Sequence, residues 1–292
     1  MIRYEGQLYR PPSEANSLIL QATIGCSYNE CAFCAMYRDK RFRVRPIEEL
    51  ADEIEWAAAQ PWPVTKVFLA DGDALVARPS FLEDLLGRLA AAFSDLRRVS
   101  CYASPQALLL RSPEQMAGLK AKGLGLYYLG VESGHDQVLA DLTKGVDSEQ
   151  MIEAAARATE AGVALSVMVL LGAGGRALSR EHAQESARVV NSIAPRFIST
   201  LVMTPAPGTP LADTDAAGGF DHMDPVELAL ELREFVGGLD LQGSVFRSNH
   251  ASNWLALAGT LPKDKDRLMA ALDEVLASPE AAQFRPAWSR GL

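Results

Sequence analysis

The sequence predicts an α/β fold, a partial (β/α)6 TIM-like barrel with a short C-terminal extension. Three observations predict it. Short, nearly continuous apolar runs recur along the 292 residues, as parallel strands covered on both faces require. Segments with helical apolar periodicity separate these runs. Gly, Pro or Asp closes most of them, where a strand gives way to a loop.

The elements follow in order. Strands are predicted at Leu18–Thr23, Val64–Ala70, Val99–Ala103, Gly125–Val131, Val163–Leu170 and Phe197–Met203. Between the first two, residues 47–59 place Ile47, Leu50, Ile54 and Ala58 on one helical face, and Pro46 suits the first turn. Pro79 opens a second helix whose stripe is Phe81, Leu82, Leu85, Leu86 and Leu89. Further helices are expected over 113–122, 148–161 with Ser148 as N-cap, 179–193 and 225–237. Gly123 and Gly162 stand where a helix must end in a left-handed residue before the next strand. A seventh, short strand-like run at 244–247, a polar loop and a last helix near 263–277 make up the extension. Residues 1–215 are read as the core and 216–292 as an extension packed on it, in one domain. Six units are fewer than the eight of a closed barrel, so an open sheet is expected.

Composition narrows the function. Apolar residues make up 48% and charged residues 22%, enough for a full core. With 28 Lys and Arg against 37 Asp and Glu the net charge is -9, which disfavours nucleic acid as a partner. No apolar stretch is long enough to cross a bilayer, and the first residues carry no signal-peptide pattern. A cytoplasmic protein with no membrane partner is expected.

Three of the four cysteines, Cys26, Cys31 and Cys34, fall within nine residues directly after the first strand. In a reducing compartment such a cluster reads as metal binding before disulfide. Loops at the C-terminal ends of parallel strands are also where α/β proteins do chemistry. Zinc in a structural site favours four protein ligands in paired motifs, and no second pair exists here. Three thiolates suit an iron–sulfur cluster that keeps one iron open. Cys101, alone on the third strand, reads as a packed residue.

On these and other motifs the chain resembles the radical S-adenosylmethionine (radical SAM) superfamily, in its methylthiotransferase, Elongator-like and coproporphyrinogen-oxidase-like branch. Phe33 precedes the last cysteine and Gly25 the first. Arg43-Val-Arg45-Pro46-Ile-Glu48-Glu49-Leu leads into the first helix as in that branch. Gly130-Val-Glu132-Ser133-Gly134, with Val138-Leu139 and Lys144-Gly145 downstream, is similar to its fourth-strand segment. Met203-Thr-Pro205-Ala-Pro207-Gly208 resembles its sixth-strand exit. The likeness covers about residues 15–215. It departs in two places. Four residues, not three, separate Cys26 from Cys31, and Ala70-Asp71-Gly72-Asp73 replaces the usual Gly-Gly-Glu.

The resemblance implies a [4Fe–4S] cluster on Cys26, Cys31 and Cys34, with S-adenosyl-L-methionine (SAM) on the open iron. Reductive cleavage of SAM would then yield a 5′-deoxyadenosyl radical that abstracts hydrogen from a small-molecule substrate. A reductant such as flavodoxin or ferredoxin is implied as partner. SAM contacts are implied for Phe33, for Asp71 or Asp73 (towards the ammonium), Gly72, Ser104, Glu132 and Gly172. Two alternatives stand beside this: a non-catalytic zinc-stabilised scaffold, and a radical SAM enzyme that modifies RNA.

Substrate candidates lie elsewhere. Arg41, Arg43 and Arg45 alternate with Phe42 and Val44, so an extended segment puts three guanidiniums on one face. In the late polar segment, Asn249 and Asn253 are candidate substrate contacts and His250 a candidate acid or base. The same residues also fit a hydrogen-bonded turn. His135, His182 and His222 read as surface residues.

Overall fold

The computed structural model describes residues 1–291. The strands are β1 (Leu18–Gln21), β2 (Thr23–Ile24), β3 (Arg43–Val44), β4 (Lys66–Ala70), β5 (Arg98–Tyr102), β6 (Leu124–Glu132), β7 (Ala164–Leu171), β8 (Phe197–Val202), β9 (Val245–Ser248) and β10 (Leu257–Thr260). The helices are α1 (Ile47–Ala58), α2 (Pro79–Ala92), α3 (Pro105–Leu109), α4 (Pro113–Ala121), α5 (Asp136–Asp141), α6 (Ser148–Glu160), α7 (Gly175–Ile193), α8 (Pro210–Ala216), α9 (Pro225–Gly238) and α10 (Lys265–Ala277). The class is α/β, with a mostly parallel eight-stranded sheet in the order β1-β4-β5-β6-β7-β8-β9-β10. All six predicted strands and the short seventh are present. β2, β3 and β10 are additions, too short or too polar to announce themselves.

The chain divides into two compact units. The first comprises residues 1–29, 36–129 and 153–165. In it β1, β4 and β5 run parallel, with Leu18 opposite Val67 and Lys66 opposite Arg98. Leu20, Val67, Phe68, Leu69, Val99 and Cys101 are fully buried, so these strands read as apolar runs. Leu50 and Ile54 of α1 and Leu82, Leu85, Leu86 and Leu89 of α2 are also buried. β2 and β3 pair antiparallel, Thr23 with Val44 and Ile24 with Arg43, and close the stem of the cysteine loop. Ser112 and Gln115 form a capping box on α4.

The second unit comprises residues 30–35, 130–152 and 166–292, the last of which lies outside the described residues. β7, β8 and β9 run parallel, and β10 joins β9 antiparallel. α7 packs beside α9, and α9 beside α10. Asp224 caps α9 with Glu227 in a second capping box. At α6, Asp147 and Gln150 exchange the two cap bonds, so Asp147, not Ser148, does the capping. Ser148 is instead the first helical residue and donates its N–H to Asp136. Gly123 and Gly162 have φ of 105° and 70°, the left-handed backbone expected of them.

Candidate functional site

In the first unit Asp71, Gly72, Asp73 and Ser104 gather beside residues 25–27, where the cysteine loop begins. Asp71 and Asp73 are both fully buried. Asp71 receives Gln21 Nε2 on both oxygens at 3.1 Å, and Gly25 N–H and Lys40 Nζ on Oδ2, each at 3.0 Å. Lys40, the residue before Arg41, is therefore a buried counter-ion rather than a surface charge. Asp73 has a different environment. Its Oδ2 accepts the hydroxyls of Ser27 and Ser104 at 2.6 Å, and Oδ1 accepts Ser104 N–H. Burial pushes the Asp73 carboxyl above the usual range, against the pull of these bonds. Ser104 also caps α3 by accepting Ala107 N–H. Gly72 sits between the two carboxylates with no room to spare. A Cβ there would lie 2.6 Å from Tyr37 Cε2 and 2.9 Å from Cys26 Cβ.

In the second unit, Cys31 and Cys34 are joined by a turn, with Cys34 N–H donating to Cys31 C=O at 3.2 Å. Between them Ala32 donates to Leu142 C=O and accepts from Leu211 N–H, each at 2.9 Å. Phe33 packs against Val138, Leu142, Leu170 and Met203. Cys26, Cys31 and Cys34 are half-buried thiols outside any disulfide. Glu132, the last residue of β6, has φ of 64°, a backbone that a non-glycine residue holds only under local constraint. Its carboxylate pairs with Lys144 Nζ at 3.0 Å. A Cβ at Gly130 would collide with that carboxylate, which fixes glycine two residues before it. Burial pulls the Lys144 ammonium down, but Glu132, Cys31 and Cys34 outweigh it and hold the pKa above the usual lysine value.

A radical SAM superfamily family model matches residues 20–188, more than half of the chain. The chain belongs to the radical SAM superfamily. It is an enzyme of that superfamily, and its general reaction class follows; the substrate does not. Solved structures agree on the fold. Methylornithine synthase (PylB) superposes with a TM-score of 0.57 at 15% identity, over 92% of this chain and 74% of that one. Coproporphyrinogen III oxidase (HemN) from Escherichia coli gives a TM-score of 0.57 at 17% identity, over 76% of this chain and 51% of its own. Elp3 of Methanocaldococcus infernus gives 0.50 at 15% identity, over 81% of this chain and 59% of that one. The chain thus spans between half and three quarters of these relatives. No curated protein sequence is similar enough to match. Radical SAM enzymes generally use a [4Fe–4S] cluster, SAM and an electron donor.

The remaining candidates of this radical SAM chain fall into two groups. Gly172, just past β7, has φ of 80° and donates its N–H to Glu231 Oε1 at 2.6 Å. Asn253 is buried, and its Nδ2 donates to Thr200 C=O at 2.7 Å and Ser248 Oγ at 3.1 Å. His250 Nδ1 accepts Ser252 N–H at 3.1 Å, in the turn that the sequence also allows, and Asn249 is exposed. Burial and the nearby Arg285 guanidinium hold the His250 pKa below the usual value. The basic face is not continuous. Arg41 is exposed and Arg43 pairs with Glu5, but Arg45 turns inward to Glu53 at 2.9 Å and Glu49 at 3.0 Å. A buried guanidinium requires such partners, and the first two turns of α1 supply them.

Three residues that sequence reasoning missed matter here. Lys144 was part of the motif but had no role. His182 is buried, not on the surface. Glu231 is fully buried at a position on the apolar stripe Leu228, Leu232 and Phe235 of α9. That stripe was the available signal, since a carboxylate within it must have inward partners. Among the described residues no three His, Cys, Asp or Glu side chains are gathered as a single metal ion requires. No described helix is long and apolar enough to cross a membrane.

Proposed function

We propose that this radical SAM enzyme holds a [4Fe–4S] cluster on Cys26, Cys31 and Cys34 and acts on a small molecule. The observation that carries the reading is that the family match over residues 20–188 takes in Cys26, Cys31 and Cys34, three half-buried thiols on one loop. Cys31 and Cys34 also help to raise the Lys144 pKa, and the same attraction favours the thiolate form that iron requires. The donor set fits the group: three soft sulfurs on one loop, without the paired motifs of a structural zinc site. Each cysteine would bind a different iron, a wider arrangement than four ligands around one ion. When bound, the reduced cluster supplies the electron that splits SAM into methionine and the 5′-deoxyadenosyl radical that abstracts hydrogen.

The chain's own residues orient and seclude. Asp71 is already neutralised by Lys40, so its role is to anchor Gly25 and the loop stem. Among the described residues Asp73 is hydrogen-bonded by the Ser27 and Ser104 hydroxyls and Ser104 N–H, with Arg111 acting on it only electrostatically, which supports it as the carboxylate for the SAM ammonium, with Ser104 beside it. Gly72 allows the backbone to approach. Glu132 would accept ribose hydroxyls, Gly172 would let the backbone approach adenine, and Phe33 would shield the cluster loop from water. His250, Asn249, Asn253, Arg41 and Arg43 are left for the substrate. The net charge of -9 supports a small molecule over RNA. A flavodoxin- or ferredoxin-like reductant in the cytoplasm completes the reading.

The test is anaerobic reconstitution with iron and sulfide. The protein should turn brown, and once reduced should convert SAM to methionine and 5′-deoxyadenosine. Cys31→Ala should lose both properties; a Cys31→Ala protein that still cleaves SAM overturns the ligand assignment.

A further inference from the structure

A buried polar network lies next to the residues proposed for the nucleoside, entirely within the second unit. Its polarity is fixed by chemistry. His182 Nε2 is 3.0 Å from Leu170 C=O, which can only accept, so Nε2 carries the proton. Nδ1 is then the acceptor, and Ser133 Oγ donates to it at 2.8 Å. Ser133 Oγ in turn accepts His135 N–H at 3.0 Å, while Gly134 N–H donates to Ser186 Oγ at 2.9 Å. A Cβ at Gly134 would collide with the backbone of Glu185, so α7 abuts the end of β6 here. On the other side Glu231 accepts Gly172 N–H on Oε1 and Ser179 O–H on Oε2, each at 2.6 Å. Glu231 Oε1 and His182 Nε2 are 3.8 Å apart.

We propose that Glu231 and His182 are positioning residues of the SAM nucleoside site: together they fix the backbone at Leu170–Gly172 and at Ser133, next to Gly172 and Glu132. The inference rests on the assignment of Gly172 and Glu132 to the nucleoside. Neither side chain touches SAM in this scheme. Each satisfies backbone groups at a strand exit that water would otherwise reach, and so holds the loop in one conformation before SAM arrives. Glu231 lies beyond residues 20–188, so this chain completes the site with a residue from outside the matched segment.

Chemistry supplies a rescue. Glu231→Leu removes both acceptors. Glu231→Gln keeps a carbonyl for Gly172 N–H, and its amide can donate to Ser179 Oγ, since a hydroxyl both donates and accepts. In the reconstituted holoenzyme, Glu231→Leu should raise KM for SAM about tenfold and leave kcat for SAM cleavage within about twofold. Glu231→Gln should stay within about twofold of wild type in both. Amide hydrogen exchange of the cluster-free protein should show faster exchange at Gly172 in Glu231→Leu and wild-type protection in Glu231→Gln. His182→Leu should reproduce the KM effect with faster exchange at Ser133–His135. If Glu231→Leu does not fold, His182→Leu and Ser179→Ala carry the same test. Equal losses in Glu231→Leu and Glu231→Gln, or an unchanged KM for SAM when the Gly172 amide has become labile, overturn the proposal. A wild-type protein that does not bind SAM overturns the earlier assignment instead.

Discussion

Lys144 Nζ stands 3.0 Å from Glu132 Oε1, with both side chains 9% exposed. A pair this deep is not there for stability alone, because desolvation offsets most of the attraction. Breaking it is another matter. Lys144→Met strands a carboxylate and should cost about 3–5 kcal/mol in urea unfolding. Glu132→Gln in the same background should recover part of that loss. Bound iron should fall in Lys144→Met, because Cys31 and Cys34 interact electrostatically with the same ammonium.

Gly72→Ala should separate packing from chemistry. The new methyl meets Tyr37 and Cys26 at distances that side-chain atoms do not adopt. Overpacking of this kind costs about 1–3 kcal/mol. Because one of the colliding atoms is Cys26 Cβ, iron incorporation should drop more steeply than the melting temperature, as measured by metal analysis alongside calorimetry.

The two carboxylates beside Gly72 should behave differently. Asp71→Asn leaves Lys40, whose side chain is 3% exposed, without its counter-charge, and should destabilise the fold by about 3–5 kcal/mol. Asp73→Asn keeps one oxygen for the Ser27 and Ser104 hydroxyls and loses only the acceptor of Ser104 N–H, so the fold should lose less than in Asp71→Asn while KM for SAM rises. Parallel denaturation and SAM-cleavage assays check the split; equal destabilisation by both variants would contradict it.

Glu231 gives a pH signature. Burial is the largest cause raising its pKa, from 4.5 to about 7, with bonds from Ser179 and Gly172 opposing. Folding therefore favours the protonated acid. The resulting stability is full below pH 4.5 and is lost as pH rises through 7. The difference amounts to about 3 kcal/mol. His182, lowered to about 4 mainly by burial, has the opposite sign: its contribution is full above pH 6.5 and lost as pH falls through 4. The stability of Glu231→Gln relative to wild type should therefore rise by about 3 kcal/mol between pH 4 and pH 8. Urea unfolding at the two pH values measures this.

Much of the fold was legible because apolar runs encode buried parallel strands directly. β7, with Val167, Val169, Leu170 and Leu171 buried, is one such run. β2 and β3 were not legible: each is two residues long, and their pairing depends on the loop between them. Within the proposed site, the three cysteines stand out by their spacing, and Glu132 by its place in the segment that resembles the family's fourth strand. The alternation of Arg41, Arg43 and Arg45 misled, because Glu49 and Glu53, one and two turns into α1, draw Arg45 inward and so break the face. His182 and Glu231 were hidden by the habit of reading polar helical residues as solvent-facing. Their position on the buried stripes of α7 and α9 outweighs their polarity.

The β2–β3 stem also lets the loop tolerate the unusual distance between the first two cysteines. With both ends of the excursion pinned, lengthening it by one residue changes the closure entropy by well under about 0.1 kcal/mol. Drift in the count between Cys26 and Cys31 is thus nearly neutral for folding, and a search that insists on fixed spacing will pass over chains built in this way.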